Sequence, residues 1–183
     1  HKGHMYVVDN MYNNSHLVHI PSNKRIRVNL DGKNLTFVSA DEVLYVIHTM
    51  RPFVMFTLDI DTGELRHVSV KRDEINNEYR GGTVGYKIHG EFYTGFGHRT
   101  YHVPERDAPL RHDIFIWTLD LQRKELHISD LEQPAGSMEI TDPTCIIDNE
   151  YLCTAESHYS WFQDQEYFAK VYRIDWKGYA EYI

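Results

Sequence analysis

Two series of residues, far apart in the chain but alike in kind, carry the side chains that could do chemistry. Lys33-Asn34, Arg80-Gly81-Gly82-Thr83 and Asp142-Pro143-Thr144 form the first; His48, His98-Arg99 and Glu156-Ser157-His158 form the second. Together they mix cations, imidazoles and two carboxylates. Guanidinium and ammonium groups hold anionic oxygens, imidazoles change charge near neutral pH, and a carboxyl can give up a proton as general acid. That is the composition of a site for a polar or phosphorylated ligand. Asp142 and Glu156 are the candidate acids, and Lys33, Asn34, His48, Arg80, Thr83, His98, Arg99 and His158 the candidate ligands to substrate or phosphate. The competing reading is structural, with Arg80 and Asp142 as paired ions tying neighbouring elements together and the histidines as surface or hydrogen-bonded core groups.

Other chemistries fail on spacing. Twelve histidines invite a metal centre, but His98 and His102 on one strand stand about 13 Å apart, and His16 and His19 point to opposite faces. No metal site is expected. Gly95-Phe96-Gly97 lacks the third glycine and following helix of a dinucleotide loop, no Gly-Lys-Ser/Thr phosphate loop occurs, and no Gly-x-Ser-x-Gly elbow presents a nucleophile. No cofactor is implied beyond inorganic phosphate as a co-substrate. Trp117, Trp161 and Trp176 could stack on sugar rings, or serve as core and interface packing.

The candidate residues need elements to gather them, and those elements repeat. Thr83 to Ile88 and Glu91 to Phe96 read as two strands joined at His89-Gly90, where glycine accepts a positive φ at little cost. The same grammar runs before and after this hairpin. A first full unit has strands at Leu35 to Val38, Val43 to His48, Val54 to Leu58 and Leu65 to Val70. A second continues from the hairpin through Asp113 to Leu119 and Leu126 to Ile128. A third holds Cys145 to Ile147, Tyr151 to Ala155, Ala169 to Ile174 and Tyr179 to Tyr182. Glu42, Glu91 and Glu150 each follow the first turn, and Asp59, Asp120 and Asp175 each close the third strand. Ser160 to Lys170 reads as a loop or a short capped helical turn.

Four-stranded units in tandem predict an all-β fold of β-propeller type, because each twisted sheet can bury its faces only against the next. The division is one propeller domain over 1–183, with a partial blade at 1–32 and blades at 33–79, 80–139 and 140–183. Three and a half blades are fewer than a ring needs, so a missing segment, a partner chain or a partly open ring is expected. A β-sandwich with coincidental spacing is the alternative. In a propeller the starts of first strands and the ends of second strands converge on a central funnel, which would bring the two series of candidates together.

Composition sets the outer bounds. The 183 residues are 42% hydrophobic and 25% charged, as in a globular domain, and 13% aromatic, which favours strands. A formal net charge of −8 with scattered basic residues argues against nucleic acid, which needs a basic stripe. No apolar run is long enough to span a bilayer and no leader is visible, so a cytoplasmic location is expected. Two cysteines are too few for a disulfide framework. A three-residue turn at Asp148-Asn149-Glu150 would place Cys145 opposite Cys153, as two neighbouring buried thiols left reduced in a reducing cell. Asn13-Asn14-Ser15 and Asn34-Leu35-Thr36 match the glycosylation pattern and carry no weight by themselves.

Lys33-Asn34, Leu44 to His48, Pro52-Phe53-Val54, Leu58-Asp59-Ile60-Asp61-Thr62-Gly63, Arg80-Gly81-Gly82-Thr83, Gly97-His98-Arg99 and Tyr101 resemble the five-bladed propellers of the mannoside phosphorylases, glycoside hydrolase family 130. Related modules occur in carbohydrate-active proteins of bacteria and large DNA viruses. The resemblance implies an inverting reaction on a mannoside, in which a carboxylic acid protonates the glycosidic oxygen while phosphate, or water, attacks the anomeric carbon. Lys33, Arg80 and His98 fall at places that would hold the phosphate. Two departures stand out: the family's Glu before Lys-Asn is Gly32 here, and its acid-bearing Glu-Asp-Pro has no counterpart before residue 33. Asp142-Pro143 has similar letters but lies in the last blade. The expected ligand is a sugar or sugar phosphate; the alternative function is a non-catalytic propeller that binds a partner protein or forms part of a larger glycosyltransferase.

Overall fold

The computed structural model describes residues 1–11, 14–30, 34–71, 78–104, 110–134, 137–157 and 166–176. Two compact units divide the chain, 1–77 and 78–183. Every sheet is antiparallel, and among the described residues no helix is long and apolar enough to cross a membrane.

The first unit contains two sheets. Strands β1 (Tyr6–Met11), β2 (Asn14–His19) and β3 (Lys24–Val28) form a three-stranded meander. Strands β4 (Thr36–Ala40), β5 (Val43–Thr49), β6 (Phe53–Leu58) and β7 (Leu65–Lys71) form a four-stranded one in simple order. Alternation puts Leu17, Ile26 and Val28 of the first sheet and Leu35, Phe37, Leu44, Val46 and Leu58 of the second into one buried cluster. Asp59 closes β6 as expected from its recurrence: its Oδ1 accepts the Asp61 and Thr62 N–H groups at 2.9 and 3.0 Å and shapes the turn to β7.

The second unit is built from β8 (Tyr79–Gly82), β9 (Tyr86–His89), β10 (Phe92–His102), β11 (Leu110–Asp120) and β12 (Glu125–Asp130), followed by the sheet of β13 (Glu139–Ile147), β14 (Tyr151–Ser157) and β15 (Phe168–Arg173). The inner strand of the first of these sheets departs from the expected single run. It is split into β8 and β9, both paired with β10, with Thr83–Gly85 between them. Thr83 explains how the split is tolerated: its backbone N–H donates to Phe96 O, and its hydroxyl accepts from Phe96 N–H and donates to Val84 O, each at 3.0 Å. Asp120 repeats the role of Asp59, with its Oδ1 accepting Arg123 N–H at 3.0 Å.

Phe96, Ile114 and Ile116 on one sheet and Ile140, Ile146, Leu152 and Ile174 on the other make the core between these two sheets. Tyr86 stitches them, donating its hydroxyl to Ile146 O at 2.7 Å and accepting Ile146 N–H at 3.2 Å. Small meanders of three to five strands, each in nearly sequential order, are blade sheets of a β-propeller and not the two facing sheets of a sandwich. The cysteine register holds: Cys145 pairs with Cys153, Ile146 with Leu152 and Ile147 with Tyr151. The turn uses positive φ at Asp148 and Asn149. Both thiols are free, but half-exposed where burial was expected. The fourth strand expected at Tyr179 to Tyr182 and most of the Ser160 to Lys170 segment lie outside the described residues, although Phe168 to Lys170 is strand.

A Cβ at Gly82 would stand 2.6 Å from Pro143 Cγ, 2.7 Å from Pro143 O and 2.9 Å from Phe96 O, so only glycine fits there. Gly90, at φ +49°, has nothing within 4 Å of such an atom. Gly82→Ala is therefore expected to destabilise the second unit by about 1–3 kcal/mol through overpacking. Gly90→Asn, which keeps access to left-handed φ, is expected to cost less than about 1 kcal/mol; urea denaturation of both variants checks the contrast.

Candidate functional site

Three strands of the second unit bring part of the predicted set together. Arg80 on β8 is the backbone partner of His98 on β10. Asp142 reaches the same place because β13 shifts register between Ile140 and Asp142. The surplus residue, Thr141, re-aims the strand, as bulges do, and is tied down by its hydroxyl donating to Ala155 O at 3.1 Å. Asp142 Oδ1 lies 3.9 Å from His98 Nδ1.

Two residues that sequence reasoning passed over complete the cluster. His112 on β11 has its ring centroid 5.6 Å from that of His98. Glu139, at the start of β13, accepts the His112 backbone N–H at 2.6 Å and lies 3.1 Å from its Nδ1. Neither belonged to a recognisable motif; the run Arg111-His112-Asp113 is polar enough to pass for a strand end.

The electrostatics distinguish the members. His98 is buried, and desolvation, together with the nearby His112 and Arg80, lowers it to about 3, so the imidazole is neutral at physiological pH. The Asp142 side chain keeps 44% of its surface accessible but stands in a recess crowded by protein. That desolvation raises its carboxyl to about 6, with His112 pulling the other way. Arg80 Nε is buried with no hydrogen-bond partner among the described residues. A carboxyl that holds its proton near neutral pH, a neutral imidazole and a buried guanidinium edge can together donate a proton and receive an anionic oxygen.

The remaining predicted residues have other positions. Arg99 follows His98 on a strand and so points to the opposite face. There its guanidinium donates to Asp113 Oδ2 at 3.2 Å and to the Tyr79 hydroxyl at 3.5 Å, approaches Asp130 at 3.8 Å, and covers the Tyr101 ring at 4.7 Å. Thr83 bridges the two inner strand segments, as described above. Glu156 is fully buried. Burial pushes its carboxyl up, but hydrogen bonds from Tyr172, Lys170, the Met138 N–H and Thr154 outweigh this and hold it below its usual range. That arrangement anchors β14 to β15 and to the chain before β13, and it leaves no proton to give. In the first unit, Asn34 has a positive φ of 62°, and His48 is half-buried with its ring 6.3 Å from Phe56. Lys33 and His158 lie outside the described residues.

A groove of about 1020 Å³ opens at the other end of β10, on the face that carries His98. Tyr86, Ile88, Phe92, Ile116, Leu131 and Trp176 make its apolar floor. The Trp176 indole N–H donates to Asn149 O, which holds that ring in place.

No protein-family model matches the chain, and no curated protein matches it. Among solved structures it is similar to the GH43 endo-arabinanase from Bacillus licheniformis, with a TM-score of 0.56 and 12% identity over 96% of this chain and 71% of that one. It is similar also to the native Bacillus subtilis arabinanase Arb43A, with a TM-score of 0.56 and 9% identity over 97% of this chain and 72% of that one. At such identities the likeness is one of fold: the chain shares the β-propeller architecture of these five-bladed enzymes.

The two shifted groups give opposite pH dependences. Near pH 5 the unfolded chain protonates His98 (ordinary value 6.5) while the folded chain, at about 3, does not, so this group's stability is present above 6.5 and is lost as pH falls. Asp142 does the reverse. Folded at about 6 against 3.8 unfolded, it favours the folded state at low pH and loses that contribution as pH rises toward 6. The slopes oppose each other between about 3.8 and 6. Relative to the wild type, Asp142→Asn is expected to steepen the acid-side loss of stability and His98→Gln to flatten it, in denaturation curves taken from pH 4 to 7. Glu156→Ala, which removes the buried acceptor of the Met138 N–H and of the Thr154 and Tyr172 hydroxyls, is expected to cost about 1–3 kcal/mol at pH 7 in the same assay.

Proposed function

We propose that this protein is a carbohydrate-active propeller that binds a glycoside in the recess at Asp142, with Asp142 as the general acid toward the glycosidic oxygen. The observation that carries this reading is the Asp142 carboxyl, raised to about 6 and reached by solvent beside the buried neutral His98 and the Arg80 guanidinium. A group poised near operating pH is what proton donation needs. The likeness of fold to two arabinan-degrading enzymes supports a sugar substrate over other polar ligands. Arg80 receives the anionic oxygen, from phosphate in a phosphorolytic reaction or from the substrate in a hydrolytic one. A mannoside with phosphate as nucleophile is the finer form of the proposal, carried by the motif resemblance around Arg80 and Gly97-His98-Arg99.

The second reading is a propeller that holds a sugar without cleaving it, alone or as a module beside a transferase. It is favoured by the absence of a second acid-base carboxylate among the described residues around Asp142: Glu139 is engaged by His112 and Glu156 by four donors.

The test is a panel of short mannosides and linear arabinan, each with and without inorganic phosphate, with product and ligand binding measured together. Turnover that falls about 10²-fold or more in Asp142→Asn while binding persists is the expected result. Phosphate dependence abolished by Arg80→Ala would select the phosphorylase form. Binding that is indifferent to Asp142→Asn, with no turnover by the wild type, would replace the enzyme with the binding module, and no binding at all would remove the sugar.

A further inference from the structure

Two thiols stand side by side on the accessible face of β13 and β14. Cys145 and Cys153 are direct cross-strand partners, both free and both half-exposed. The row continues across the sheet to Val171, the partner of Cys153 on β15, which is 60% exposed. Side chains directly opposed in an antiparallel ladder lie on the same face, with Cα atoms about 4.5–5.5 Å apart. That separation falls within the span of about 4.4–6.8 Å that a disulfide bridges. Beyond these cysteines the ladder is regular to the turn, through Ile146 with Leu152 and Ile147 with Tyr151, so the register holding the two sulfurs together is the register of the folded hairpin.

We propose that Cys145 and Cys153 are a redox-active dithiol that closes to an intrachain disulfide when the protein meets a low-molecular-weight disulfide. One cysteine, as thiolate, attacks a sulfur of the oxidant. A mixed disulfide forms and the first oxidant thiol leaves. The second cysteine gives its proton to solvent and attacks the protein sulfur of that mixed disulfide, releasing the second oxidant thiol. Two protein S–H bonds are lost, one protein S–S bond is made, and the oxidant S–S bond is reduced to two thiols. The accessible face admits the oxidant, and the ladder places the second sulfur where the first is attacked, so closure outruns capture of a second oxidant molecule.

The position gives the modification a target. Asp142 lies three residues before Cys145, and Glu156 three residues after Cys153. Between Cys145 and Asp142 the strand carries a register shift, at Pro143/Cys145, with another just before Asp142. A covalent tie at Cys145 and Cys153 clamps the regular end of the hairpin and leaves the irregular, carboxylate-bearing end anchored on both strands.

The experiment incubates the folded full chain with excess oxidised glutathione, blocks remaining thiols with an alkylating reagent and reads the intact mass. The expected wild-type product has lost two hydrogens, carries neither glutathione nor alkyl groups, and regains two alkylatable thiols after reduction with dithiothreitol. Cys145→Ser and Cys153→Ser are each expected to stop at a stable adduct with one glutathione. The oxidised wild type is expected to show a thermal midpoint several degrees above the reduced form, because the cross-link restricts the unfolded chain. Wild type that keeps two alkylatable thiols, carries one glutathione on each cysteine, or links chain to chain overturns the proposal.

Discussion

Pro143 lies so close to Gly82 that no side chain can stand between them, and much of the second unit depends on that approach. A twisted sheet cannot bury its apolar face alone. The bare backbone of β8 lets β13 come near enough for Phe96, Ile114 and Ile116 to meet Ile140, Ile146, Leu152 and Ile174. Each such side chain contributes about 1.5–3 kcal/mol when fully buried, against about 0.5–1.5 kcal/mol for a neutral hydrogen bond. Apolar burial therefore holds the sheets together, while the two hydrogen bonds between Tyr86 and Ile146 fix how they align.

The same contact creates the chemistry. Asp142 precedes Pro143, so packing the proline onto Gly82 carries the carboxyl into the recess beside His98. There the protein removes enough water to raise an acid and neutralise a base within one short stretch of structure. Glu156, on the adjacent strand, shows the contrast: four donors surround it, and their charge and hydrogen bonds reverse the effect of burial. Two carboxylates of one hairpin thus differ in protonation because one is surrounded by donors and the other is not.

Much of the architecture was legible in the sequence because it rests on local rules. Alternating apolar residues bounded by Asp, Asn and Gly marked the strands, and the recurring Asp59 and Asp120 do cap corresponding turns. The Cys145 to Cys153 register followed from counting outward from one turn. The site was legible only in part. The structure brings Arg80, His98 and Asp142 together, while strand alternation turns Arg99 to the opposite face from His98. His112 and Glu139 escaped notice because their meeting depends on how two sheets pack, which no local pattern encodes. The split between β8 and β9 was hidden likewise, since Thr83 repairs it through side-chain bonds to a distant residue, Phe96.

The register shift before Asp142 gives β13 a property that its composition does not reveal. A strand has a reading frame of two: Thr141 is an extra letter that reverses the frame against β14, and a second shift between Pro143 and Cys145 restores it. In the observed frame Ile140 stands opposite Glu156, whereas Asp142 and Cys145 stand opposite Ala155 and Cys153, two residues apart on β14. Loss of that one letter would leave the second shift uncompensated, so that one end of β13 falls out of frame with β14. Chain length at Thr141 therefore matters to this hairpin before side-chain identity does, and an insertion or deletion there disturbs the setting of Asp142 more than a replacement would.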